Sequence, residues 1–234
     1  MVEQAIPVVC FFPITLTSVI KVAHTYNRAF ALVIPRGLFF QEVSLGQMAI
    51  SFRCSFIALS YAILAIHFIY RYIALCKPDK IYIFKSPKWI FLFIVFFFFH
   101  GIVWGLDVYM FISGTPETYA YIDDDFSKMY NVSAYVVPMI ICVYGDIDST
   151  SQFKSWTGIL TVSAISCYAI VLYCCLGFKI HSHLNQFQLS ASTQRLHGQL
   201  LKALTVQTVI PFLVSYLPCL IIWYSPVFGI NAGT

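Results

Sequence analysis

Arg71 stands between Tyr70 and Tyr72 at the end of an apolar run, Leu64–Tyr70, with Lys77 and Pro78 close behind. An arginine at the rim of a membrane helix has two uses. It can snorkel to the headgroups as an anchor, or it can belong to an element whose packing differs between two states of a bundle. The residues before it sharpen the choice. His67 lies four positions back, Ser60 seven before that, and Arg53 seven before Ser60. On a helix these spacings align Arg53, Ser60, His67 and Arg71 on one face. Ionisable groups are costly in hydrocarbon and turn toward a bundle interior or a water-filled path. The stripe extends ~27 Å at 1.5 Å per residue. It suits a device that senses at one end and reports at the other, and it would also suit a transport path. In "QLLKALTVQTVIPFLVSYLPC", Pro211 and Pro218 interrupt a second apolar run and mark candidate hinges, with Lys202 at its foot.

Other reactive residues carry weaker messages. His181-Ser182-His183, with His197 downstream, offers one metal-like pair without further histidine boxes or carboxylates, so solvated loop histidines are the better reading. Asp123-Asp124-Asp125 lacks the spacing and glycine of an EF-hand loop and reads as a solvated acidic run. No nucleophile–base pair or phosphate-cradling glycine loop appears. The residues therefore point to no enzyme, no metal and no cofactor. The eight cysteines contain no C-x-x-C pair. Cys54 and Cys142 are candidates for a disulfide if both face an oxidising side, while Cys76 and Cys174-Cys175 fall where S-acylation occurs.

The elements that position these residues follow from composition. The chain is 59% hydrophobic and 10% charged, against about 25% charged in a soluble domain. A net charge of +4, scattered along the chain, argues against nucleic acid and leaves the lipid bilayer as the surrounding partner. A spanning helix needs about 20 mostly apolar residues. Stretches meeting or approaching this lie at about 4–20, 45–70, 89–112, 156–178 and 203–228. Loop 71–88 and loop 179–202 are basic, whereas 113–155 holds Glu117, Asp123, Asp124, Asp125, Asp146 and Asp148. The positive-inside rule places the first two in the cytosol and 113–155 outside; alternation of the spans then puts 21–44 outside too, although Lys21, Arg28 and Arg36 weigh the other way. The sequon Asn131-Val132-Ser133 falls in an outer loop and marks Asn131 for glycosylation. The expected fold is an all-α integral-membrane bundle.

"HFIYRYIALCKP", "STQRLHGQLLKALTVQTVIPFLVSYLP" and "HTYNRAFALVIPRG", in this order, resemble the nematode Str-type chemoreceptors, seven-transmembrane G-protein-coupled receptors. The resemblance implies a GPCR-like bundle in which the five spans correspond to helices 2–6. The first and seventh helices are then missing, as in a chain truncated at both ends. It implies a heterotrimeric G protein as partner, with Tyr70, Arg71, Tyr72 and Lys202 at its face. It also implies a small odorant or soluble cue held among the outer helix halves, where Phe52, Arg53, Phe56, Trp104, Asp107 and Tyr109 are candidates. The implied location is the plasma membrane of sensory cilia. A membrane transporter or channel subunit, or an integral-membrane enzyme, stands as the alternative.

Overall fold

The structure, a computed structural model, describes residues 22–33, 42–186 and 191–230. The expected span 4–20 lies outside the described residues. Two strands, β1 (Val22–Tyr26) and β2 (Ala29–Val33), precede the long helix α1 (Val43–Cys76). After a 3-10 helix at Pro78–Phe84, α2 (Pro87–Asp107) runs into a π-helical turn, Val108–Ile112. Then come α3 (Pro116–Tyr130), β3 (Met139–Val143) and α4 (Ser149–Gln186). The last helical stretch is broken. It comprises α5 (Ala191–Pro211), a π-helical turn at Phe212–Tyr216, α6 (Leu217–Tyr224) and a 3-10 turn at Ser225–Phe228.

Three helical runs, Val43–Cys76, Pro87–Ile112 and Ser149–Leu184, are long and apolar enough to cross a membrane. The 34 residues of α1 extend ~51 Å, well beyond the ~30 Å hydrocarbon core. Hydropathy marks only the lipid-buried part of such a helix, because backbone hydrogen bonding carries the coil on through polar residues. The expected spans 45–70 and 156–178 are therefore shorter than the helices that contain them. Arg71 accordingly lies inside α1, more than a turn before its end.

Burial ranks the helices. In the apolar window of α1, 56% of residues are buried, against 11% for α2. α1 is the central helix, and α2 shows most of its surface to lipid. Gly101 and Gly105 let α2 approach α1 closely. A Cβ at Gly101 would meet Leu59 Cδ2 at 2.7 Å, and one at Gly105 would sit 3.4 Å from Ser55 Cβ.

At one end of the bundle, the stretches read as loops 21–44 and 113–155 carry an antiparallel sheet of order β1-β2-β3 and the helix α3. Asn27, in the left-handed region at φ 48°, and Arg28 make the β1–β2 turn. In β2 and β3 every residue is buried. One face of the sheet, with Phe30, Leu32, Ile140 and Cys142, packs on the bundle. The other, with Ala29, Ala31, Val33, Met139, Ile141 and Val143, packs on Tyr119, Ile122 and Phe126 of α3. The transmembrane part is the expected helical bundle, and the sheet is an addition to it. Thr115 and Thr118 form a reciprocal capping box that starts α3 just before Pro116. Asn131 ends α3 in a left-handed cap and is exposed. The Ser133 hydroxyl of its sequon donates to Asp123 Oδ1 at 2.9 Å.

Side chains bolt this cap to the bundle. Gln47 Nε2 donates to Gly114 O and Tyr119 Oη at 3.1 and 2.9 Å. The Val143 amide donates to Ser155 Oγ at 3.1 Å. The Tyr144 hydroxyl donates to Trp223 O at 2.8 Å. Cys54 and Cys142 are both free, so the candidate disulfide is not formed. The pleat turns Cys142 into the core near Ser155 and Tyr144, whereas Cys54, on α1, has Cys219 as its thiol neighbour.

His24 of β1 is 2% exposed. Its Nε2 lies 3.5 Å from Asp125 Oδ2 of α3, and its ring stands edge-on to Phe126 and Tyr130. Burial lowers its pKa from the usual 6.5, with Asp125 opposing in part. Above pH 6.5 the imidazole is neutral whether or not the cap is docked. As pH falls below 6.5 the undocked state takes up the proton first, so docking weakens. Amide exchange in β1, corrected for intrinsic rates, is expected to quicken between pH 7 and pH 5 and to lose that dependence in His24→Phe. Protection independent of pH would contradict this account of the cap.

Candidate functional site

The middle of α1 places two hydroxyls, Ser60 and Tyr61, inside the bundle, both 3% exposed. In hydrocarbon they must find protein partners. Ser60 Oγ donates to Ile57 O at 2.6 Å. A hydroxyl has one proton, so in the 2.5 Å contact between Ser60 and Tyr216 the tyrosine is the donor. The Tyr61 hydroxyl donates to Ser166 Oγ on α4 at 3.2 Å, and Ser166 passes its own proton to Val162 O. Tyr173, one helical stretch further along α4, donates to Tyr61 O at 2.7 Å. The Tyr61 ring packs against Tyr216 at 4.6 Å and Trp104 at 6.0 Å between centroids. One pair of adjacent residues thus ties α1 to α2, α4 and the broken helix.

The break explains why Tyr216 reaches Ser60. Pro211 and Pro218 each lack the amide that would continue the helical ladder, and the π-helical turn lies between them. The extra residue of a π turn shifts the side chains that follow. Both expected hinge prolines flank the site of contact with α1.

The expected stripe residues differ in burial along α1. Ser60 and His67 are buried, and Arg53 and Arg71 are half-buried. One guanidinium nitrogen of Arg53 and Nδ1 of His67 are buried without a hydrogen-bond partner among the described residues. Arg71 is the charged neighbour of His67 and stacks over Tyr70 at 5.9 Å. Lys179 of α4 covers Tyr72 at the same distance, and Phe68 stacks on Tyr173 at 5.2 Å. Lys202 is exposed and borders an open groove of about 590 Å³ between α4 and α5, lined also by His181, Leu184, Gly198 and Thr205. Arg71 is not among the walls of that groove. His181 and His183 lie on α4 and His197 on α5, and no metal-holding group of three or more His, Cys, Asp or Glu occurs among the described residues.

The six residues expected to line one pocket fall into separate places. Phe52, Phe56 and Tyr109 line an apolar groove of about 660 Å³ on the outward face between α1 and α2. Phe52 and Phe56 stand on α1 and Tyr109 on the π-helical turn after α2, and Ser60 is not among the walls of this groove. Trp104 is buried in the interior and borders an enclosed cavity of about 30 Å³ under the sheet, together with Phe30, Cys54, Ile57, Ile140 and Trp223. Asp107 is buried where α2 meets α4, near Thr161, and its Oδ2 has no hydrogen-bond partner among the described residues. Arg53 lines neither space. The sequence reading missed Tyr61, Ser166, Tyr173 and Tyr216. The available signal was a set of tyrosines in mid-span, away from the interfacial belts where tyrosine is common.

A double-mutant cycle of Ser60→Ala and Tyr216→Phe, followed by thermal unfolding in detergent, is expected to give a coupling of about 1 kcal/mol. Additive losses would show that the two hydroxyls do not act as a pair.

Curated receptors of nematodes are similar to this chain. Serpentine receptor class J-38 of Caenorhabditis elegans is 30% identical over 212 residues, covering 89% of this chain and 63% of that protein. Serpentine receptor class r-10 of the same nematode is 27% identical over 216 residues, covering 90% and 63%. The G-protein coupled receptor str-33, also from C. elegans, is 26% identical, covering 88% and 62%. The chain therefore spans under two thirds of the length of these relatives. No solved structure matches. The motifs that resemble Str-type receptors are not specific to that type, since class J and class r receptors match as well. The family whose profile matches, over residues 8–234, is described as "Serpentine type 7TM GPCR chemoreceptor Srj", and the chain belongs to it.

Proposed function

We propose that this chain works as a G-protein-coupled chemosensory receptor, with the sheet end facing outward and the Arg71 end facing the cytosol. The observation that carries the reading is the Tyr216–Ser60 hydrogen bond, which joins the helix bearing Arg71 to the broken helix bearing Lys202. A ligand that shifts the broken helix changes the relation of those two residues at the opposite end, which is the form a two-state receptor takes. The cue is a small molecule from the environment. It enters under the sheet, where the cavity beside Trp104 and Trp223 holds about 30 Å³. That volume admits little more than one water. Binding there displaces Trp223 or the sheet, and Tyr144, which bonds Trp223 O, carries the displacement to α6.

At the other end, Tyr70, Arg71 and Tyr72 with the Lys202 groove offer a heterotrimeric G protein a basic, aromatic surface. Asn131, exposed at the sheet end, carries a glycan. The receptor resides in the plasma membrane of sensory cilia. Similarity to serpentine receptors supports the class of function.

Arg71→Ala in the complete receptor tests the reading. With a panel of small volatile and soluble compounds, it is expected to lower ligand-driven nucleotide exchange on the G protein about tenfold or more, the effect of about 1.4 kcal/mol between states. Surface expression stays unchanged. Undiminished coupling would return Arg71 to the role of a headgroup anchor.

A further inference from the structure

α4 presents to lipid one continuous stripe of exposed positions, Leu160, Cys167, Tyr168, Val171, Cys174, Cys175 and Phe178. Two adjacent free thiols in it, Cys174 and Cys175, point outward from the bundle. Between them and the end of the apolar run lies about one helical turn. The next basic residue, Lys179, reaches across to the Tyr72 ring, as a cation does where a helix meets the headgroups. Cys174 and Cys175 therefore sit ~6–8 Å from that level along the axis. Cys167, exposed on the same stripe, lies ~18 Å from it, deep in the hydrocarbon. Cys142 is buried in the cap, Cys54 and Cys219 are half-buried within the bundle, and Cys76 is half-buried at the last position of α1, off the lipid-facing stripe of α4.

We infer that Cys174 and Cys175 form an S-acylation site for a long-chain fatty acid. The pair combines three properties that such a site needs: unpaired thiols, exposure to lipid, and a depth that an interfacial acyltransferase reaches. The donor is a long-chain acyl-coenzyme A. The cysteine sulfur bonds to the acyl carbonyl carbon as the bond from that carbon to the coenzyme A sulfur breaks. The thiol proton ends on coenzyme A, and no electrons change hands. The attached chain lies back along Val171 and Tyr168 toward the bilayer centre, covering apolar surface that α4 leaves open. The site acts on the cytosolic side and so rests on the orientation proposed above.

The test labels the whole chain, expressed in cultured eukaryotic cells, with an alkynyl fatty acid and reads the label that hydroxylamine releases. Label is expected on the native chain, lost to background in Cys174→Ser/Cys175→Ser and in the corresponding double alanine variant, and unchanged in Cys167→Ser and in Cys76→Ser. Label that persists in the double variants, or that Cys167→Ser or Cys76→Ser removes, overturns the assignment. Orientation is read separately by reacting a Tyr135→Cys chain with a membrane-impermeant maleimide on intact cells. Reaction on intact cells without acyl label defeats the acylation site alone. Reaction only after permeabilisation defeats the orientation, and the site with it.

Discussion

Two hydroxyls in the middle of a membrane helix determine how the rest of the bundle packs. Water cannot satisfy Ser60 and Tyr61 at that depth, so two neighbouring helices supply hydroxyl partners, Tyr216 from the broken helix and Ser166 from α4, while Tyr173 of α4 bonds the Tyr61 carbonyl. Hydrophobic driving force does not distinguish one helix packing from another inside lipid, because the tails are as apolar as leucine. Directional bonds and close approach do. Around the hydroxyls, Gly101 and Gly105 bring α2 close to α1, and Trp104 fills the space toward Tyr61 and Trp223.

The cap depends on the same framework. Its sheet is buried on both faces, so it has no stable position except between α3 and the bundle end. Gln47, Ser155 and Tyr144 fix that position by bonds to α3, the sheet and α6. Tyr144 thus ties the end of the sheet to α6 through Trp223 O, and α6 is continuous with the π turn that carries Tyr216. The broken helix can respond because its ladder is already interrupted at Pro211 and Pro218. An unbroken helix would have to give up backbone bonds in hydrocarbon to do the same.

Much of this was legible in the sequence, for identifiable reasons. Long apolar runs located α1, α2 and α4, and spacings of seven, seven and four residues placed Arg53, Ser60, His67 and Arg71 along α1. The strands were not legible. "AFALV" and "MIICV" are five residues each and buried on both faces, so they lack the alternation that marks a half-buried strand. The pocket candidates were chosen by depth alone, which cannot tell the lipid face from the interior. Phe52 and Phe56 lie within about two turns of Ser60, yet they border the groove shared with α2 whereas Ser60 meets Tyr216, a division that depends on which helices pack where. Tyr216 stood in plain view between two prolines. Its partner could not be known, because a π turn changes the helical phase by an amount the sequence does not state.

The central claim is that the Tyr216–Ser60 bond holds the broken helix against α1 at mid-span, and so restrains its Lys202 foot. The most direct measurement is the distance distribution between spin labels at positions 80 and 202, compared between the native chain and Tyr216→Phe in lipid nanodiscs. The account predicts a longer or broader distribution when the single hydroxyl is removed, since Ser60 keeps its bond to Ile57 O while the hydrogen bond across to the broken helix is lost and the ring contact with Tyr61 remains. Superimposable distributions would show that the broken helix is held elsewhere, and that the bond is a contact without control over the bundle.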